Sequence, residues 1–233
     1  MGLDSVEIVV KIEKTFDINI PDQKIEQVVT VGDLHNCVWR HLSIANSDNC
    51  YSQSLYYKLR KSFADNYGFP KKDFTLDRSI NEIFPSDNRR RRYVEFARIN
   101  NLQLPTLTLD KPWSTILEYF GIAVIVGGLA LSIILINLFE ASKLTLLFPL
   151  GGIFLTVAFS KLLSSKRLLI EPQTVREFTQ KVVYLNYPEH INNEGSNRKE
   201  MESVINHIIA DISGLDISEV TAEKKICDDL GID

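Results

Sequence analysis

The chain lacks the short signatures by which most soluble enzymes can be recognised. It has no glycine-rich phosphate loop, no G-x-S-x-G and no H-E-x-x-H, and that lack argues against an enzyme. Cysteine is scarce. Cys37, Cys50 and Cys227 are odd in number and far apart, which excludes a disulfide framework and leaves thiols. His35, Cys37 and His41 fall on one expected helix with no second ligand cluster, so no metal is expected. The Arg89–Arg92 run has no RNA- or DNA-binding motif around it. It reads as a solvated helix turn facing lipid headgroups, not as a nucleic-acid patch. No apolar run preceded by a charged segment lies near the N-terminus, so no signal peptide is expected.

Long apolar runs, by contrast, are present twice. FGIAVIVGGLALSIILINLF follows Tyr119, and LTLLFPLGGIFLTVAFS follows Lys143. About 20 apolar residues at 1.5 Å each span a hydrocarbon core of about 30 Å. The second run is shorter, and Leu162 and Leu163 extend it past a Lys161 that can snorkel. The polar flanks are too small to cover two helices that are apolar all round. A transmembrane helical hairpin is therefore expected over 113–163. Lys111, Lys161, Lys166 and Arg167 flank it, while the tip offers only Glu140 and Lys143, which predicts two spans with both termini cytoplasmic. Trp113 and Tyr119 suit the interface. Gly127-Gly128 and Gly151-Gly152 stand either as close-approach points between the helices or as tolerated small residues.

Charge is distributed unevenly. Residues 1–43 and 199–233 are acidic, and the stretch between them is basic. Acidic ends and a basic middle suit soluble parts held over an anionic leaflet.

Within DSVEIVVKIEKTF, apolar side chains at Val6, Val9 or Val10, Ile12 or Thr15, and Phe16 predict a helix with one buried stripe. Pro21 breaks the chain, and Thr30-Val-Gly-Asp33 opens another helix with a capping-box pattern. At the other end, Met201, Val204 or Ile205, Ile208 or Ile209, and Ile212 mark a helix that leads into a loop ending Asp229-Leu-Gly-Ile-Asp233. The N-terminal block resembles the second half of an acyl carrier protein: long second helix, Ile-Pro-Asp, short third helix, T-V-x-D-L. The C-terminal block resembles that family's first helix and long loop. Together they imply a circular permutation, with 199–233 supplying helix I and its loop, and 1–43 supplying helices II–IV.

A fainter copy lies in the middle. DFTLDRSINEIFPSD parallels EVTAEKKICDDLGID, RRYVEFARINNLQLP parallels the second helix through Pro21, and Thr174-Val-Arg-Glu177 parallels Thr30-Val-Gly-Asp33. Two readings stand. Residues 51–110 with a helix over 168–186 form a second, degenerate carrier-like module interrupted by the hairpin, or they are ordinary juxtamembrane helices. Residues 187–198 read as a linker. The expected fold is thus all-α: a permuted acyl-carrier-like four-helix bundle, the hairpin, and a candidate second bundle.

The resemblance implies 4′-phosphopantetheine on the serine of a D-S-L motif, where a helix N-terminus accepts the phosphodiester. Aligning Asp4-Ser5-Val6 with D-S-L makes Ser5 the attachment residue but shortens the helix by three residues. The ungapped register places Gly2 there instead. Ser86 lies near the corresponding point of the middle copy, inside no D-S-L. The implied role is a membrane-anchored carrier-like protein of cytoplasmic fatty-acyl or lipid metabolism. The alternative is an unmodified binding or scaffold module. Implied partners are the bilayer, acyl-transfer or lipid-synthesis enzymes, and a second copy of the chain.

Overall fold

A computed structural model describes residues 3–42, 50–85, 87–139, 142–194 and 197–232. The elements are α1 (Leu3–Phe16), α2 (Asp22–Ile25), α3 (Val31–His41), α4 (Tyr51–Tyr67), α5 (Ile80–Ile83), α6 (Arg89–Asn100), β1 (Leu107–Leu109), α7 (Lys111–Phe139), α8 (Phe148–Leu162), β2 (Arg167–Ile170), α9 (Val175–Glu194) and α10 (Arg198–Ser213). They fall into two compact units. The first gathers Met1–Ile83, Glu95–Pro105 and Pro172–Asp233, and the second Phe84–Val94 and Thr106–Glu171.

In the first unit, α10 packs on α1 and α3. The buried stripe of α1 is Ser5, Ile8, Ile12, Thr15 and Phe16, one residue set at helical spacing. Val6, expected inside, and Val10, one of two candidates for the next position, are 48% and 40% exposed, and Ile8 takes the buried place instead. The matching face of α10 is Met201, Val204, Ile205, Ile208 and Ile209, all buried. Beyond α10, Gly214 stops the helix in the left-handed conformation at φ 70°, a turn glycine adopts without a Cβ penalty. The C-terminal loop then runs back to the start of α3. Val31 and Gly32 donate to the Lys224 and Ala222 carbonyls at 3.0 and 2.8 Å, and Ile226 donates to Val29 at 3.0 Å. The N- and C-terminal segments thus share one core.

The same framework recurs within the unit. Helix α4 ends at Gly68 with φ 65°, as α10 ends at Gly214. Val175 and Arg176 donate to the Arg78 and Leu76 carbonyls, both at 2.9 Å, and Ile80 donates to Gln173 at 2.9 Å. Isolated bridges pair Thr30 with Lys225 and Ser79 with Thr174. Asp17 and Asn101 both take positive φ, 52° and 50°, and Ile18 and Leu102 donate back to Glu13 and Ala97 at 3.1 and 3.0 Å. Around α4 the core is aromatic, with Phe63 stacked on Phe96 at 4.5 Å. Helix α9 packs on α4, α10 and α1, and Phe16 meets Tyr187 edge-on at 5.6 Å.

Helix α9 continues to Glu194, so the stretch expected as a linker over 187–198 is helical for most of its length. Tyr187 and Ile191 are buried, and one turn of apolar spacing outweighs Pro188 and the asparagines that suggested a loop.

The second unit holds α7 and α8. Contacts of Phe120 with Phe159 at 4.6 Å, and the nearness of Gly152 to Val124 and of Gly128 to Phe148, make the pair antiparallel. A Cβ on Gly152 would lie 3.2 Å from the Val124 carbonyl oxygen, so here the backbones do approach closely. Two helical segments, Lys111–Leu138 and Lys143–Lys166, the second being α8 with the 3-10 turns that flank it, are long and apolar enough to cross a membrane. Ser132 bridges the hairpin near its tip, donating within 2.7 Å of the Gly128 carbonyl and within hydrogen-bond reach of the Thr145 carbonyl. The mostly helical chain agrees with the all-α expectation and carries in addition a short two-stranded β-ribbon. Strands β1 and β2 pair antiparallel with Leu107 opposite Ile170, directly outside the two apolar helices.

Candidate functional site

The residues singled out in the sequence lie where the N- and C-terminal segments join. Ser5 is the third residue of α1, and its side chain is 5% exposed. It sits on the same buried stripe as Ile8 and Ile12. Gly2 and Ser86, the other candidate positions, lie outside the described residues. The solvent face of α1 mixes Glu7 with Lys11 and Lys14. Glu13 bends back to accept from the Ile20 amide at 2.7 Å, which fixes the chain entering the Pro21 break.

The start of α3 is a full capping box. Asp33 donates its amide to Thr30 Oγ1 at 3.1 Å, and Asp33 Oδ2 accepts from the Thr30 amide at 2.9 Å. These hydrogen bonds hold the Asp33 carboxyl below its ordinary range, since they favour the charged form. At the start of α9, Glu177 and Thr174 make the same exchange, the Glu177 amide donating to Thr174 Oγ1 at 3.2 Å.

His35 and Asn206 meet across the joined segments at 2.8 Å, and the Asn206 amide also donates to the Val220 carbonyl at 3.3 Å. His35 is buried, and desolvation lowers its pKa although the Asn206 contact opposes the shift. His41 turns to the Cys37 carbonyl at 2.8 Å, so the two histidines of the expected ligand set turn to different partners. Among the described residues no group of His, Cys, Asp and Glu could hold a metal ion. Burial raises the Cys37 thiol pKa, the opposite of what a nucleophilic thiolate needs.

Two contacts escaped the sequence because no local spacing announces them. Glu200, buried near the start of α10, accepts from the Ser52 amide and hydroxyl at 2.8 Å and from the Cys50 thiol at 3.4 Å. It thereby ties α10 to the first turn of α4. Between α9 and α10, Asp211 accepts from Lys181 at 3.0 Å and from the Tyr184 hydroxyl at 3.3 Å. Burial and the Asp211 charge push that tyrosine up to about 12.

Parts of the chain are similar to acyl carrier proteins. That of Clostridium acetobutylicum is 44% identical over 40 residues, covering 17% of this chain and 52% of the relative. That of Prochlorococcus marinus is 55% identical over 32 residues, 14% of this chain and 40% of the relative. The chain spans about half or less of the curated relatives it matches. No family model and no solved structure matches it.

Proposed function

We propose that this chain is an acyl-carrier-like protein of cytoplasmic fatty-acyl or lipid metabolism, held at the membrane by the α7–α8 hairpin with both termini cytoplasmic. Its carrier-like unit is permuted, α10 and the loop after it serving as the first helix and long loop, and α1–α3 as the remaining three helices. The carrying observation is the set of three backbone hydrogen bonds that stitch Val29–Gly32 to Ala222–Ile226. The partial likeness to acyl carrier proteins supplies the chemistry. The length and apolarity of two helices supply the membrane. The second framework, around α4, α6 and α9, is a degenerate copy of the same unit into which the ribbon and hairpin are inserted.

One observation favours a second reading of how the unit works. An esterified serine presents its hydroxyl to solvent and to a modifying enzyme, whereas Ser5 is 5% exposed and faces the core. On that reading the unit docks a lipid-metabolic enzyme at the bilayer without an arm of its own, and a 4′-phosphopantetheine site at Ser5 belongs only to the first. The test is a re-joined chain, 197–233 followed directly by 1–42, co-expressed with a phosphopantetheinyl transferase. It is expected to fold as a cooperative helical monomer, and an unfolded product would sink the permutation. Intact mass and peptide mapping then decide the mode: an arm on Ser5 establishes the carrier, and an unmodified chain the docking module.

A further inference from the structure

The first turn of α6 places Arg89, Arg90, Arg91 and Arg92 together. That is the wrong end of a helix for cations, because the backbone dipole leaves partial positive charge there. That cost is relieved by an anion at the N-terminus.

The surroundings give that anion a place. A cleft of about 570 Å³ is lined by Arg89, Arg90, Arg91 and Val94 of α6 and by Ser165 and Leu168 of the segment after α8. The guanidinium heads are fixed by the chain that follows α8. Arg89 Nη1 donates to the Leu168 carbonyl at 3.1 Å, and Arg90 Nη1 donates to the Ser164 carbonyl at 2.9 Å. These neutral oxygens orient the heads. Arg92 leans on exposed Asp87 at 3.5 Å, while Arg91 stands exposed over the cleft. Arg89 is partly desolvated, which lowers its pKa, so a bound anion also offsets that cost.

The apolar wall narrows the choice of anion. Val94 is 62% exposed and Leu168 is 39% exposed, and both border the same cleft as the arginines. A free phosphate makes no use of them, whereas a phospholipid covers them with the start of its acyl chains. Ser164 and Ser165 lie in the 3-10 turn that follows α8. Close by in sequence, Lys166 lies over the Trp113 ring at 5.5 Å, a pairing suited to the headgroup zone. Taken together, basic side chains outnumber acidic ones in this unit. We infer that the cleft between the first turn of α6 and the segment after α8 is a binding site for the phosphate of an anionic phospholipid. This inference rests on the membrane reading of the hairpin.

The test uses the full chain, purified in a non-ionic detergent, stripped of lipid and offered equal amounts of phosphatidylglycerol and phosphatidylcholine. Native mass spectrometry counts the lipid retained. Phosphatidylglycerol is expected to be preferred roughly tenfold or more. R91Q is expected to lower that preference about fivefold, and R89Q/R90Q/R91Q to abolish it. Equal retention of the two lipids by the wild type overturns the site, as does an undiminished preference in R91Q. Arg91 is exposed and its loss leaves the Arg89 and Arg90 anchors intact, so misfolding of the triple variant does not protect the idea. Inorganic phosphate in excess separates the two sources of the anion: failure to displace the lipid supports the proposal, and phosphate binding with no lipid selectivity refutes it. Alkaline extraction of the same protein from vesicles reads the hairpin on its own. Release there removes the spanning reading, while lipid selectivity in micelles is scored without a bilayer.

Discussion

A double-substitution cycle at His35 and Asn206 measures whether the N- and C-terminal segments cohere as one unit. The pair is 171 residues apart in sequence and 2.8 Å apart in space. Removing Asn206 alone, as Asn206→Leu, leaves the buried His35 ring without that partner and the Val220 carbonyl without its donor. A buried polar group left unsatisfied costs roughly 1–3 kcal/mol, so a loss of about 2 kcal/mol is expected. His35→Leu should cost about 1 kcal/mol, since Asn206 keeps its bond to Val220. Replacing both partners by apolar groups is nearly neutral in favourable cases, so the double variant should fall short of the summed losses by about 1 kcal/mol. For a protein of this size each kcal/mol moves the midpoint by roughly 2–4 °C, which places Asn206→Leu about 4–8 °C below the wild type. Thermal and urea unfolding in detergent, followed by circular dichroism, gives all four stabilities. Losses that simply add to within about 0.5 kcal/mol would refute the coupling, and with it the contact that spans the two segments.

The two capping boxes predict matched penalties: Thr30→Ala and Thr174→Ala should each destabilise by about 1 kcal/mol in the same unfolding assay. In the hairpin, Gly152→Leu drives a side chain into the Val124 backbone at 3.2 Å and should cost roughly 1–3 kcal/mol. Gly151→Leu meets nothing within 4 Å and should leave micellar stability unchanged. His35 and His207 are both held below the ordinary histidine pKa by burial, so the unfolded chain binds more protons than the folded one below about pH 6.5. Their contribution is complete above that pH and is lost as the pH falls toward their folded values. Midpoints measured from pH 7.5 to 5 should therefore drop on acidification, and His207→Gln should flatten the slope.

How much of this was visible in the sequence depended on how local each signal is. Thr30 with Asp33 and Thr174 with Glu177 are read over four residues, and both boxes form as their spacing implies. The parallel between DFTLDRSINEIFPSD and the tail is likewise matched by backbone bonds at Leu76, Arg78 and Ile80 that repeat those at Ala222, Lys224 and Ile226. Strands of three and four residues are too short to show a period, so Leu107–Leu109 and Arg167–Ile170 went unseen. The stripe of α1 was legible at Ile12, Thr15 and Phe16 but not in its first half, where valines and isoleucines crowd both faces and only the partner helix decides which set turns inward. Ser5 could be named from a motif, but its burial depends on α10, encoded at the far end of the chain. Asn206 and Glu200 carry no motif at all, and their roles come wholly from tertiary partners.

The ribbon has a practical consequence. Leu107 and Ile170 are hydrogen-bonded neighbours, so everything between them leaves and returns through a gap no wider than one strand spacing, about 5 Å. A two-residue turn closes such a gap. The greasy loop-back is therefore a detachable insert: cut it out at the ribbon, join the stubs, and the remainder should dissolve in plain buffer with both repeated frameworks intact.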